Sequence, residues 1–203
     1  MAPADLRRAV RHLRRADPVL ARVIAEVGPC RHRVERGGGP FAALVEAIVY
    51  QQLAGAAAAT IHGRLCALVG RKHPRAEDVA GLGDDELRAV GLSRQKIGYL
   101  RDLVARVQDG LPLGRLSRLS DEAVVEALST VKGIGRWTSE MYLMFRLGRL
   151  DVLPVDDLGI RKAMQRAWRK RALPWPDWMR LTAEPWRPYR SVACWYLWQS
   201  LEP

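Results

Sequence analysis

Cysteine, histidine and phenylalanine are scarce in this chain of 203 residues, with three, four and two of each. Cys30, Cys66 and Cys194 are far apart and sit in apolar, helical-looking stretches. That pattern excludes a disulfide framework, a zinc site and a four-cysteine iron–sulfur loop. His12, His32, His62 and His73 are scattered without metal-ligand spacing, so no metal site is expected. No apolar run reaches the length of a membrane span, and no membrane partner is expected. The N-terminal stretch MAPADLRRAVRHLRRAD has no apolar core of the kind a secretion signal needs. It is amphipathic, Arg-rich and acid-poor, as organellar transit peptides also are. A folded first helix is preferred, because the same pattern runs straight into the next helix. The expectation is an intracellular, soluble, reduced protein.

Acidic residues are also few relative to basic ones. Thirty-three Lys and Arg against 22 Asp and Glu leave a net charge of +11. Twenty-eight of the basic residues are Arg, a bias that coding preference can also produce. A surplus of this size otherwise repels itself without gain, so it points to a polyanionic partner. At 48% hydrophobic and 27% charged, the rest is ordinary globular material, long enough to bury its own core.

Helical periodicity dominates, and strand-like alternation is nearly absent; the fold class is all-α. Asp17-Pro18-Val19 to Gly28 reads as cap, first-turn proline, helix and terminal glycine. Gly37-Gly38-Gly39 is a linker, lacking the Lys-Ser/Thr of a phosphate loop. Pro40 then opens a helix with Phe41, Leu44, Val45, Ile48 and Val49 on one face. Residues 54–70 form a small-residue helix whose alanines suggest a close-packing surface. Ser93 starts a helix with Ile97, Leu100, Val104, Val107 and Leu111 in a stripe, and with Lys96, Arg101 and Arg106 off it.

Ser120 caps a helix with acids in its first turn, which the helix dipole favours. Val131-Lys132-Gly133-Ile134-Gly135 follows, and a second helix starts near Arg136. The two glycines allow a sharp turn, Ile134 plugs the space between helices, and the unpaired N–H groups beyond suit a phosphate oxygen. Thr138, in the first turn, would bond back to the hairpin. With Arg136-Trp137-Thr138 behind it, this stretch (about 120–147) resembles the helix-hairpin-helix of the base-excision DNA glycosylases, the endonuclease III superfamily. That resemblance implies one glycosylase domain over residues 1–203, with two helical lobes and an active-site cleft between them. It also implies damaged double-stranded DNA as partner, a monomer, and a cytoplasmic location (nucleoid-associated in a bacterium).

Downstream, Leu153-Pro154-Val155-Asp156-Asp157-Leu158-Gly159-Ile160 resembles the family's loop with its catalytic aspartate, which matches Asp157. By pattern alone, such a doublet is a helix cap followed by a first-turn acid. Asp156 is therefore expected to cap and Asp157 to act chemically. Adjacent helical residues point about 100° apart, so the two cannot work as a facing acid/base pair. Members with strand-cleaving activity carry a Lys where this chain has Trp137; Lys132 precedes the glycines. The departure implies a monofunctional hydrolase without AP lyase activity. Ala47 replaces the Glu of the adenine-mispair enzymes.

The nearest branch is that of the 3-methyladenine DNA glycosylases II, over about residues 36–200 and without the N-terminal β-rich subdomain of longer members. It implies a base pocket walled by Trp137 and Trp198, with Met141 where longer members have a tyrosine and Tyr142 beside it. An indole face attracts a cationic alkylpurine by about 1–2 kcal/mol when desolvated. The other tryptophans are expected mostly to fill the core. Gln51 and Gln52 fall in the family's wedge region, Gln52 where a side chain fills the gap left by a flipped nucleotide; pattern alone makes them a helix end reaching solvent. Lys132, Gly133, Gly135, Arg136 and Thr138 complete the implied DNA contacts. No cofactor is implied, though a monovalent cation could bridge hairpin carbonyls and a phosphate. The implied reaction is hydrolysis of the N-glycosidic bond of alkylated purines such as 3-methyladenine and 7-methylguanine. The alternatives are a non-catalytic helix-hairpin-helix DNA-binding protein and a glycosylase for another damaged base.

Overall fold

The computed structural model describes residues 3–35 and 37–202. Among the described residues the regular elements are all helical, as the periodicity predicts. The chain divides into two compact units, one of Met1–Val34 with Leu143–Pro203, the other of Glu35–Tyr142.

The first unit joins the two ends of the chain. Helix α1 (Pro3–Ala16) and α2 (Pro18–Val27) pack against α12 (Arg190–Gln199), and α2 also meets α10 (Leu158–Ala167). The break between α1 and α2 is made by Asp17, whose Oδ1 accepts the N–H groups of Val19 (2.8 Å) and Leu20 (3.1 Å). Its Oδ2 accepts the indole N–H of the fully buried Trp186 at 3.0 Å. One carboxylate therefore satisfies two helix-end donors and a buried donor 169 residues away. Helix α11 (Pro176–Thr182) lies beside the short 3-10 turn Glu184–Trp186. The expectation that the remaining tryptophans fill the core needs correction. Trp186 does so, but Trp168, Trp178 and Trp195 are half-buried and Trp175 is 77% exposed.

In the second unit, α3 (Gly39–Tyr50) packs on α4 (Gly55–Leu68) and α7 (Arg94–Gln108), while α5 (Ala76–Ala80) and α6 (Asp84–Ala89) also rest on α7. Helix α7 buries Ile97, Leu100, Leu103 and Val104; Val107 is partly buried, and Leu111, expected in the same stripe, lies beyond the helix end because the chain turns at Asp109-Gly110. The alanine run of α4 is no packing surface. Ala58 is buried, whereas Ala56, Ala57 and Ala59 face solvent, because only every third or fourth residue of an amphipathic helix reaches the core. Helices α8 (Asp121–Ser129) and α9 (Arg136–Phe145) flank the hairpin turn as expected, with the Ser120 hydroxyl accepting from Ala123 N–H.

Candidate functional site

Gly133 adopts φ +81°, the left-handed turn that the hairpin requires. Ile134 is 2% exposed, buried as a plug between the helices would require. Among the described residues, the N–H groups of Gly133 and Gly135 have no hydrogen-bond partner and both glycines are exposed. The bond back to the hairpin comes from Ser139, whose hydroxyl donates to the Gly135 carbonyl at 3.0 Å; it does not come from Thr138. A hydroxyl four residues on reaches back along the helix to that carbonyl, whereas Thr138 is turned into a cavity.

The cationic candidates are not bare charges. Arg136 is ion-paired with Glu122, whose carboxyl this guanidinium holds below the usual range. Lys132 Nζ stands 3.9 Å from Asp102. The hairpin carbonyls are also engaged: Val131 O accepts from Ile134, Gly133 O from Gln51, and Gly135 O from Ser139. A monovalent cation there would have to share them.

A cavity of about 530 Å³ opens beside the hairpin, lined by Ala47, Tyr50, Gln51, Gln52, Tyr99, Gly133, Trp137, Thr138 and Met141. Trp137 and Tyr50 are 46% and 37% exposed, so both rings keep solvent-facing surface beside the cavity. Met141 lines it. Tyr142 does not, being only 6% exposed and one residue, about 100°, further round the helix. Helix α3 ends at Tyr50, so Gln51 and Gln52 lie in the turn beyond it, as pattern alone suggests. Gln51 is directed at the hairpin, donating to Gly133 O at 2.7 Å. Gln52 is exposed and carries φ +56°, a conformation a non-glycine residue holds only at a cost. Tyr50, Tyr99 and Lys96 are not among the site residues that the sequence pattern points to. Lys96 donates to the Val49 carbonyl at 2.6 Å, and burial pushes its ammonium pKa down.

In the first unit, Asp157 is only 8% exposed. Its Oδ1 accepts the Ile160 N–H at 2.7 Å and the indole N–H of Trp198 at 2.9 Å. Asp157 is thus itself the cap of α10, and the expectation that Asp156 caps is corrected: Asp156 is exposed and one residue too early to reach the N3 amide. Trp198 rests tilted on Phe145, with ring centroids 5.9 Å apart. Gly159 makes this approach possible, since a Cβ there would stand 3.0 Å from both the Trp198 ring and Asp157 Oδ1. The loop leading to Asp157 is pinned to α12. Arg190 Nε donates to Asp151 Oδ1 at 2.7 Å, and Arg187 reaches Asp151 Oδ2 at 2.6 Å. Ser191 accepts from Val152 N–H at 3.0 Å and donates to Arg149 O at 2.7 Å. Nothing in the local sequence pattern marks Asp151 or Ser191, whose partners lie about 40 residues away.

Residues 45–188 match the model of the HhH-GPD superfamily of base excision DNA repair proteins. The chain belongs to that family. It is 34% identical over 200 residues to DNA-3-methyladenine glycosylase 1 of Schizosaccharomyces pombe, covering 97% of this chain and 88% of the relative. The DNA-3-methyladenine glycosidase structure from Bacillus halodurans superposes with a TM-score of 0.82 at 35% identity, covering 94% of this chain and 87% of that one. An S. pombe 3-methyladenine DNA glycosylase in complex with abasic DNA gives a TM-score of 0.81 at 35% identity, over 94% and 95% of the two chains. Among the described residues of this family member, no group of three or more His, Cys, Asp or Glu side chains converges as a metal site would, and no helix is long and apolar enough to cross a membrane.

Proposed function

We propose that this protein is a monofunctional DNA glycosylase that hydrolyses the N-glycosidic bond of alkylated purines in duplex DNA. The observation that carries the reading is a buried carboxylate, Asp157, held by two donors on one oxygen. It lies in a chain that presents an aromatic cavity and a hairpin with free N–H groups. Likeness to proteins named as 3-methyladenine glycosylases supports the substrate class.

A damaged nucleotide leaves the stack at a cost of a few kcal/mol, least for a base already badly paired. A purine alkylated at N3 or N7 carries positive charge and departs without a protonating acid. The sugar then becomes oxocarbenium-like, and a fixed carboxylate offsets that charge and orients the attacking water. Asp157 takes this role, with Trp137 and Met141 toward the base and Gln52 as the wedge. Trp198 holds the carboxylate as well as offering an aromatic face. Gly133 and Gly135 N–H groups bind phosphate, with Lys132 and Arg136 nearby. With Trp137 in place of a lysine, no amine attacks the sugar, so the products are a free base and an intact abasic strand.

Incubation with methylated duplex DNA tests the reading. Release of 3-methyladenine and 7-methylguanine without strand nicking is expected, together with loss of release in Asp157→Asn. Duplex binding with no base release would favour a non-catalytic DNA-binding protein. Efficient nicking by the native protein would overturn the monofunctional assignment.

A further inference from the structure

Helix α7 has more to do than fill the core. Lys96, Tyr99 and Asp102 recur at three-residue spacing and so share one side of the helix. Each meets a different part of the candidate DNA interface. Lys96 Nζ donates to Val49 O, in the last turn of α3 and two residues before Gln51. The Tyr99 ring lies so close over Gly133 that a Cβ there would stand 2.3 Å from its Cδ2 atom, and the same ring lines the cavity. Gln95 fixes the phenol, donating to its oxygen at 2.5 Å. Asp102 Oδ2 accepts the Lys132 N–H at 2.8 Å.

We propose that this stripe is a positioning device, with Tyr99 as the residue that ties the hairpin to the base cavity. Asp102 engages the amide that opens the turn, Tyr99 covers the Cα side of Gly133, and Gln51 holds its carbonyl. The turn is restrained at the amide before Gly133, at its Cα and at its carbonyl, so the free N–H between them is set before any phosphate arrives. Preorganisation of this kind removes an ordering cost from binding. Because the restraining ring is also a wall of the cavity, a change at the hairpin is felt where the base would sit. The inference rests on the hairpin being a DNA-binding element.

Duplex binding by fluorescence anisotropy and single-turnover base release, both on the full chain, test it. Gly133→Ala is expected to weaken duplex binding about tenfold or more, through collision with the ring and the positive φ. In a Tyr99→Ala background the same change is expected to cost at most about threefold, because the ring is gone; groups in contact couple in this way. Equal losses in both backgrounds would overturn the proposal. Asp102→Ala is expected to raise the half-saturating DNA concentration about tenfold, more than it lowers the rate at saturation. Asp102→Asn, which can still accept the Lys132 N–H, should restore most of that affinity. If Tyr99→Ala does not fold, the Asp102 pair decides alone, and equal losses there overturn the proposal. A native protein that binds no duplex would instead remove the DNA reading itself.

Discussion

Trp198 and Asp157, 41 residues apart in sequence, share a hydrogen bond of 2.9 Å to the same carboxylate oxygen that caps α10. The cap orients the acid along the helix and the indole orients it across α12. Two donors from different elements leave the carboxylate little freedom, which is what a group meant to meet a developing charge requires.

Asp157→Asn keeps the size and most of the capping, because an amide oxygen also accepts from Ile160. Only the charge goes. Excision is expected to fall by at least about 100-fold, with duplex binding retained or strengthened. Asp156→Asn, at an exposed position that does not cap, is expected to change turnover and melting temperature very little. Single-turnover base release on both variants checks the ordering, and the reverse order would place the reactive carboxylate one residue earlier.

Gly159→Ala separates activity from stability. In the first turn of a helix, alanine is intrinsically better than glycine by up to about 1 kcal/mol. Its Cβ, however, would press on Trp198 and on Asp157 Oδ1 at 3.0 Å. Base release is expected to drop about tenfold or more while the melting temperature changes little, since a misplacement below 1 Å can cost that much. Unchanged kinetics would mean that the Trp198 contact does not position the carboxylate.

Duplex affinity should fall steeply between low and physiological salt if phosphates are the main contacts. Glu122→Gln is expected to strengthen binding about two- to fivefold at low salt by releasing Arg136 from its ion pair, and the gain should fade as salt rises. Anisotropy titrations at several salt concentrations test both statements. A salt-independent affinity would mean that the basic surface does not face DNA.

His32 is 3% exposed against Phe145, and neither ring nitrogen has a hydrogen-bond partner among the described residues. Burial pushes its pKa below the ordinary value. The unfolded chain takes up a proton near about pH 6.5, and the folded one only lower. Stability is therefore intact above that range and is lost as pH falls toward the depressed folded value. The melting temperature is expected to decline from pH 7 to pH 5 in the native protein and to decline less in His32→Phe. Parallel declines would assign the acid sensitivity to other groups.

Helix after helix was legible from local chemistry. Asp17-Pro18 at the start of α2, Gly28 at its end, Ser93 and Ser120 as caps, and the Gly133-Ile134-Gly135 turn all act within a few residues of themselves. Backbone hydrogen bonding and φ preference are local, so sequence alone determined them; the candidacy of Asp157 came from the resemblance of its loop to the family's. Tertiary structure decided what depends on partners far along the chain. It made Asp157 the cap, brought Trp198 to it through the gap at Gly159, and turned Met141 into the cavity while burying Tyr142. It also left the α4 alanines other than Ala58 in water and set Tyr99 over the hairpin glycine. Those outcomes follow from which helix faces meet and how closely. A side chain's partner 30 or 40 residues away leaves no mark on its immediate neighbours, and only the packed chain selects it.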